Sequence, residues 1–339
     1  MRKNHLFLLV ACLMTISTLI GGCSGIQNKA VNSANKYPEK PITIIVPFSV
    51  GGGQDLAART IEKDASKYLG QSLIIVNKPG GAGINGWNEL AASRPDGYTI
   101  GMTGAELITL PIYGTTKYNY ISALQPLAQI TSSSWIVVIQ SKQPWKSIGE
   151  LVTYAKEHPG ELKFSHGGIG SFPHLIGEMI NKESGIDLEQ VPFQSSGEAL
   201  TALLGGHVQV AIVNPSVVKA HIDNGTIRAL AVTGKYRLDD PCLADIPTLM
   251  EQDFNIEFEN WFGLAAPKDI PPEAKAKLAE GLKKMTEDEE FKQHVKNMGL
   301  QVEYLDPQKV EMKWINEKQE LSKIIHEDGI LDLIRAQKK

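Results

Sequence analysis

Apolar and polar positions follow two kinds of pattern along the chain. Short runs rich in Ile and Val, such as residues 42–48 and 72–79, alternate with segments of helical periodicity, such as residues 55–70. The same alternation recurs over residues 135–167 and 188–234. Strands that alternate with helices indicate βαβ units, and such units favour sheets that are largely parallel. The pattern therefore predicts an α/β protein.

The length of the chain suggests two domains. It has 339 residues, and a domain typically takes roughly 100 to 200 residues. The C-terminal segments read as helices that pack on the outside of the domain formed by the first strands, so we expect that domain to be discontinuous. The predicted boundaries are a signal peptide at 1–22, a flexible polar tether at 23–36, domain I at 37–139 and 257–339, and domain II at 140–256.

The N-terminus has the features of an export signal. Arg2 and Lys3 precede an apolar run from Leu6 to Ile20 that ends in two glycines, which is typical of a secretory signal. A membrane-spanning helix needs about 20 apolar residues, and no comparable run follows in the sequence. We therefore expect an extracytoplasmic protein whose body is not embedded in the membrane.

Residues 20–23 resemble a bacterial lipobox, in which small residues precede a lipid-modified cysteine. The resemblance implies that Cys23 carries a diacylglyceryl group and anchors the protein to the cell membrane. The alternative is an ordinary secretory cleavage, with Cys23 incidental. Stable anchoring takes more than one acyl chain, as lipoprotein processing supplies.

Charge and cysteine content exclude several classes of protein. The formal charge of −4 becomes −6 when Arg2 and Lys3 leave with the signal, which argues against a nucleic-acid partner. Cys242 would be the remaining cysteine of the processed chain beside Cys23, so no disulfide framework is expected. The scattered histidines show no metal-ligand spacing, and we expect neither a metal nor a cofactor. The five tryptophans are expected to pack in the structure rather than to contact a ligand.

A G-x-G-x-x-G run at residues 81–86 imitates a dinucleotide-binding fingerprint. We reject that interpretation because Lys78, Pro79 and Gly80 separate the run from its strand, whereas a Rossmann turn follows its strand directly. A glycine turn that needs positive φ is the simpler interpretation.

Three other strand ends carry better candidates for a binding site. Consecutive glycines expose backbone N–H groups, and the positive end of a following helix favours an anion. Asp55 belongs either to the anion site or simply to a helix cap, and such a cap would also fix the shape of the glycine loop. Asn214 begins either a binding loop or a simple Asn-Pro turn. Ser196 and Ser216 are expected as helix N-caps. The candidate ligand-binding residues are Phe48, Ser49, Gly51, Gly52, Gly53 and Asp55 at the first strand end, Ser165, Gly168, Gly170, Ser171 and His174 at the second, and Asn214 at the third.

A catalytic interpretation of the second loop is weak. Ser165 or Ser171 with His166 or His174 would supply a nucleophile and a base. No G-x-S-x-G elbow is present, however, and the sequence places no acid to orient a histidine. His174 could equally pack against or cap its own helix. An extracellular serine hydrolase is therefore the minor alternative to a receptor.

Several blocks of the chain together resemble the substrate-binding receptors of the tripartite tricarboxylate transporter family, also called Bug receptors. The resemblance implies a bilobed periplasmic-binding-protein fold of type II, two α/β domains with a hinge, and no enzymatic activity. It implies that residues 51–55 hold a carboxylate through amides and water, and that residues 168–174 face it from the other domain. The blocks are YPEKPITIIVPFSVGGGQDLAAR, NKPGGAGINGWNELAASRPDGYTI, GGIGSFPHLIGEMI, VPFQSSGEALTALLGGHVQVAI, HIDNGTIRALAVTG and WFGLAAP.

The resemblance also sets expectations about ligand and partners. It implies a small organic acid as ligand and integral membrane permease subunits as partners. In one common family pattern an aspartate precedes the residue that matches Asn214, whereas Val213 stands there in this chain. A buried ammonium without a carboxylate partner is costly, so this departure favours a di- or tricarboxylate over an amino acid. A sensory receptor for a signalling partner remains an alternative, because a two-state protein can serve either output.

Overall fold

The computed structural model describes residues 37–327 and 329–337. The predicted signal peptide at 1–22, Cys23 and the tether at 23–36 lie outside these residues. Within the described part of the chain, no helix combines the length and the apolar character needed to cross a membrane.

Among the described residues, six strands form a first sheet, which contains both the first and the last strand along the chain. Its strands are β1 (Ile42–Val46), β2 (Leu73–Asn77), β3 (Thr99–Thr103), β4 (Leu124–Ser134), β10 (Glu259–Pro267) and β11 (Gln301–Leu305). Their spatial order in the sheet is β11-β4-β10-β3-β1-β2.

Five strands form a second sheet, in the order β7-β6-β8-β5-β9. Its strands are β5 (Ile136–Gln140), β6 (Lys163–His166), β7 (Glu189–Pro192), β8 (Val210–Val213) and β9 (Ile227–Val232). We call the first sheet with its helices the first lobe and the second sheet with its helices the second lobe.

The domain boundaries drawn from sequence stay a prediction. In the structure the chain passes from the first sheet to the second between Ser134 and Ile136 and returns between Val232 and Glu259.

Helices follow most strands and cover the sheets. They are α1 (Gly53–Leu69), α2 (Ile84–Ala92), α3 (Glu106–Ile112), α4 (Tyr120–Ala123), α5 (Ile148–Glu157), α6 (Phe172–Ser184), α7 (Ser196–Leu204), α8 (Pro215–Asp223), α9 (Pro272–Glu287), α10 (Glu289–Asn297), α11 (Pro307–Glu327) and α12 (Ile330–Gln337).

The expectation of largely parallel sheets is wrong, because both sheets are mixed. β1 pairs in parallel with β2 and β3, and β6 pairs in parallel with β7 and β8. The chain leaves the first sheet through β4 and returns through β10, so these two neighbours run antiparallel. In the second sheet β5 likewise runs antiparallel to β8 and β9. Hydrophobic periodicity reports burial and does not report the direction of a strand.

Two helices of the second lobe begin at other residues than predicted. The N-cap of α7 is Ser195, whose Oγ accepts a hydrogen bond from the Glu198 N–H at 3.3 Å. The N-cap of α8 is Asn214, whose Oδ1 accepts one from the Ser216 N–H at 2.9 Å. The predicted caps Ser196 and Ser216 are therefore wrong. Extended backbone at Ser195 and at Asn214 decides the start of each helix, because an N-cap residue is not itself helical.

The run of residues 81–86 forms a turn and not a cofactor loop. Gly81–Gly83 is a 3₁₀ turn in which even Ala82 has a positive φ of 56°. This agrees with the predicted glycine turn, since a left-handed backbone is easiest for glycine.

Candidate functional site

The carboxyl ends of parallel strands from both lobes meet at one cleft. β1 and β3 end there in the first lobe, and β6, β7 and β8 end there in the second. Open α/β sheets bind ligands outside the carboxyl ends of their strands. All five strand ends lead into a helix: β3 into the short α3, and the other four into the N-termini of α1, α6, α7 and α8. The first amides of a helix have no acceptor within the helix and carry its positive end, so their convergence favours an anion.

The loops of the two lobes contact each other across the cleft. The Ser49 N–H donates to the Gln194 carbonyl oxygen at 3.3 Å. A Cβ atom built on Gly52 would lie 2.8 Å from the Cβ of Ser195, and one built on Gly53 would lie 2.9 Å from the Cβ of Asn214. The structure is therefore a closed arrangement, in which glycine lets the first loop approach the second lobe.

A small cavity lies between these loops. Its volume, measured as the space open to the centre of a water-sized sphere, is about 20 Å³. Five predicted residues line the cavity: Phe48, Gly52, Gly53, Ser171 and Asn214. Seven predicted residues do not: Ser49, Gly51, Asp55, Ser165, Gly168, Gly170 and His174. The lining also includes eight residues that sequence reasoning missed: Gln54, Glu106, Trp135, Gly167, Pro173, Ser195, Ser196 and Phe262.

Two residues that line the cavity each have a buried side-chain hydrogen-bond donor without an acceptor. Asn214 is 0% exposed and Trp135 is 4% exposed, yet among the described residues neither the Asn214 Nδ2 nor the Trp135 Nε1 has a hydrogen-bond partner. Leaving a buried donor unsatisfied costs about 1–3 kcal/mol. An acceptor such as a carboxylate oxygen is the kind of group that such a donor lacks. Trp135 packs in the hydrophobic core, as expected for the tryptophans, and it also lines the cavity.

Asp55 shapes the first loop rather than lining the cavity. Its Oδ2 accepts from the Gly51 N–H and from Arg59 Nε, both at 2.9 Å. Its Oδ1 accepts from Asn77 Nδ2 at 2.9 Å and from Arg59 Nη2 at 3.1 Å. Burial alone would raise the pKa of this carboxyl, but the hydrogen bonds from Arg59, Gly51 and Asn77 hold it below its ordinary value. The ionised carboxylate fixes Gly51, whose φ is +79°.

The serines and His174 do not form a nucleophile and base. His174 accepts from the Gly170 N–H through Nδ1 at 3.0 Å, and its Nε2 lies 3.2 Å from Glu178 Oε1. Ser171 Oγ accepts from the backbone N–H of His174 at 3.4 Å, as the N-cap of α6. Ser165 Oγ donates to the Ala199 carbonyl at 3.0 Å. The imidazole nitrogens therefore face the Gly170 N–H and the Glu178 carboxyl, and a packing role for His174 stays a prediction.

A second histidine stacks on His174 beneath this loop. The ring centroids of His166 and His174 are 4.4 Å apart. His166 Nε2 lies 2.8 Å from Gln190 Oε1, and Nδ1 accepts from the Gly168 N–H at 3.2 Å. Burial, and then the neighbouring His174, lower the pKa of His166 to about 3. His166 is therefore neutral at physiological pH and supports the Gly168 turn.

Glu106 introduces a buried carboxyl into the cavity. It begins α3 directly after β3 and is 3% exposed. Its Oε1 accepts a long hydrogen bond of 3.4 Å from the Phe172 N–H, the first amide of α6 in the opposite lobe. Burial raises the pKa of this carboxyl to about 7. Val213, where the family resemblance leads one to look for an acid, is instead buried in the core of the second lobe.

The chain belongs to the tripartite tricarboxylate transporter receptor family. The model of that family, described as the tripartite tricarboxylate transporter family receptor, matches residues 57–330. This family consists of solute receptors, so the protein is a receptor and not an enzyme.

Solved structures agree with this family and with a bilobed fold of type II. The periplasmic binding protein BugD is 28% identical, with a TM-score of 0.82 over 86% of this chain and 99% of its own. The R. palustris protein Rpa4515 with adipate is 27% identical, with a TM-score of 0.82 over 86% and 98%. MatC from Rhodopseudomonas palustris with bound malate is 25% identical, with a TM-score of 0.80 over 85% and 100%.

Proposed function

We propose that the protein captures a small di- or tricarboxylate between its lobes and delivers it to the permease of a tripartite tricarboxylate transporter. The observation that carries this proposal is the convergence of four helix N-termini on a cavity that also holds the unused donors of Asn214 and Trp135. Preorganised neutral donors bind an anion without a cationic side chain. A chain with net negative charge can therefore bind an acid here.

The similar proteins support the chemical class of the ligand. Adipate in Rpa4515 and malate in MatC are both dicarboxylates. The permease is inferred from the family, whose receptors take their name from the transporter.

A thermal-shift screen of organic acids, followed by calorimetry, tests the binding step. An acid that binds the native state raises the melting temperature by mass action, by about 2.7 kcal/mol of stability at a hundredfold excess over Kd. Ester substrates serve as the control for hydrolysis, and we expect no turnover. If no small carboxylate stabilises the folded protein, the proposed ligand class is wrong.

Membership of this family places the protein outside the cytoplasm, and we propose that lipid on Cys23 anchors it there. Cys23→Ala should release the protein from the membrane fraction, because the lipid is attached through that sulfur. Cys242→Ala is the matched control and should leave the protein in the membrane fraction. A Cys23→Ala protein that stays with salt-washed membranes would contradict the anchor.

A further inference from the structure

The cavity is also lined by two residues that carry hydrogen-bond acceptors, Gln54 and Glu106. Gln54 and Glu106 are 4% and 3% exposed and both belong to the first lobe. Within residues 37–327 and 329–337, the Gln54 Oε1 has no hydrogen-bond donor. A Cβ atom built on Gly104 would lie 2.9 Å from Gln54 Nε2 and 3.1 Å from Glu106 Oε2. The two side chains therefore converge on the backbone of Gly104.

Glu106 lacks the partner that a buried carboxylate needs. None of the ion pairs of the described residues involves Glu106, and the long bond from the Phe172 N–H is its contact with the opposite lobe. A buried ionised group without a counter-charge or a full set of hydrogen bonds is strongly destabilising. In its ionised form Glu106 therefore needs a donor that the surrounding side chains do not supply, and without one it keeps its proton, in line with its raised pKa.

These two groups of atoms divide the cavity by chemistry. Asn214 Nδ2 and Trp135 Nε1 offer donors, whereas Gln54 Oε1 and the carboxyl of Glu106 offer acceptors. A ligand that carries acceptors alone would satisfy the donors, but ionised Glu106 would then face a second negative charge and Gln54 Oε1 would stay unpaired. A ligand with both a carboxylate and a donor group would satisfy both sets.

We infer that Glu106, assisted by Gln54, is the specificity-determining residue of this cavity, and that it selects carboxylates that also carry a hydroxyl or ammonium group. This inference rests on the proposed function and narrows its ligand class. It also revises the expectation drawn from Val213, because the first lobe supplies the acid that the sequence lacks beside Asn214.

Matched acids that differ in one substituent test the inference. The sets are succinate, malate and aspartate; tricarballylate and citrate; and propionate, lactate and alanine. In calorimetry the wild-type protein should prefer a substituted acid over its unsubstituted partner by at least about tenfold, because the unsubstituted acid leaves Glu106 and Gln54 unpaired.

Two substitutions of Glu106 distinguish the two donors. Glu106→Gln removes the charge and keeps an acceptor, so it should lower affinity for an ammonium-bearing acid at least about tenfold and leave a hydroxy acid within about threefold. Glu106→Ala removes the acceptor and should abolish the preference for either. Glu317→Gln, a carboxyl of the same lobe that hydrogen-bonds Trp261 outside the cavity lining, is the control and should bind as the wild type does.

Two results would contradict the inference and would leave the proposed function standing. One is equal affinity of the wild type for an acid and its substituted partner. The other is an unchanged preference in folded Glu106→Ala. Failure of every small carboxylate in the wider thermal-shift screen would instead contradict the proposed function, and the inference with it.

Discussion

Gly52 lies where the backbones of the two lobes pass close together, so the space at this residue controls closure. Gly52→Ala would put a Cβ atom 2.8 Å from the Cβ of Ser195, closer than two carbon atoms can lie without a shift. We expect about 1–3 kcal/mol of lost binding free energy, the usual cost of overpacking, measured by calorimetry with an acid from the screen. Gly52→Val should cost more, because its branched side chain also reaches toward the cavity.

A matched glycine controls for the effect of an added methyl group on the backbone. Gly149 lies in α5 away from the cavity lining, and the side-chain atom nearest to its built Cβ is Ser147 Oγ at 3.8 Å. Gly149→Ala should leave affinity unchanged. Unchanged affinity in Gly52→Ala as well would mean that closure at residue 52 is not part of binding.

His166 should make the folded state sensitive to mild acid. Its pKa is about 3 in the folded protein and about 6.5 in an unfolded chain. Between these values the unfolded chain binds more protons, so stability is complete above pH 6.5 and falls as the pH drops toward 3. We expect His166 to contribute a slope of up to about 1.4 kcal/mol per pH unit in that window.

Urea denaturation at pH 7, 6 and 5 measures this slope. His166→Asn removes the titrating ring while Asn Oδ1 can still accept from the Gly168 N–H, so its stability should depend less on pH than that of the wild type. His174 and Glu178 lie next to His166 in the same buried group and remain in both proteins. Equal slopes in the two proteins would show that His166 does not cause the acid sensitivity.

At the scale of elements, a helix N-cap can be structural alone or both structural and part of the site. Ser171 caps α6 and lines the cavity, whereas Ser147 caps α5 away from it and accepts from the Glu150 N–H at 3.1 Å. Loss of either cap should cost about 1 kcal/mol of stability. Ser171→Ala should also weaken acid binding in calorimetry, and Ser147→Ala should not. Equal affinities of the two variants for the acid would show that the Ser171 hydroxyl does not contribute to binding.

Local signals explain which strand ends could be found from the sequence. The loops after β1 and β6 carry glycine clusters, and Asn214 precedes a proline, so all three show as breaks in the pattern. Ser195 and Glu106 follow their strands without a glycine cluster, and Trp135 stands between two strands of different sheets. These three residues reach the cavity because of the order of strands in the sheets, which the periodicity of a single sequence does not encode.

At the scale of the whole molecule, the closed arrangement leaves little room for a ligand. A cavity needs about 10–15 Å³ for the centre of one water molecule, and this cavity offers about 20 Å³. A dicarboxylate is several times larger than a water molecule. The hydrogen bond between Ser49 and Gln194 and the close approach of Gly53 to Asn214 also hold the loops of the two lobes together. An acid can therefore enter only after the lobes separate. A hinge would act in the two segments that connect the sheets, one between β4 and β5 and the other between β9 and β10.

Small-angle X-ray scattering with and without a bound acid tests this hinge. We expect the free protein to sample open arrangements and a saturating acid to decrease the radius of gyration, since the loops of both lobes contact the same ligand. The change should be small, because rotation of a lobe leaves both cores intact. Gly52→Ala should show a smaller decrease at saturation, as its added methyl group opposes closure at Ser195. A radius of gyration that stays constant in the wild type at saturation would mean that the acid binds without closure, and the crossing strands would then act as rigid connections rather than as a hinge.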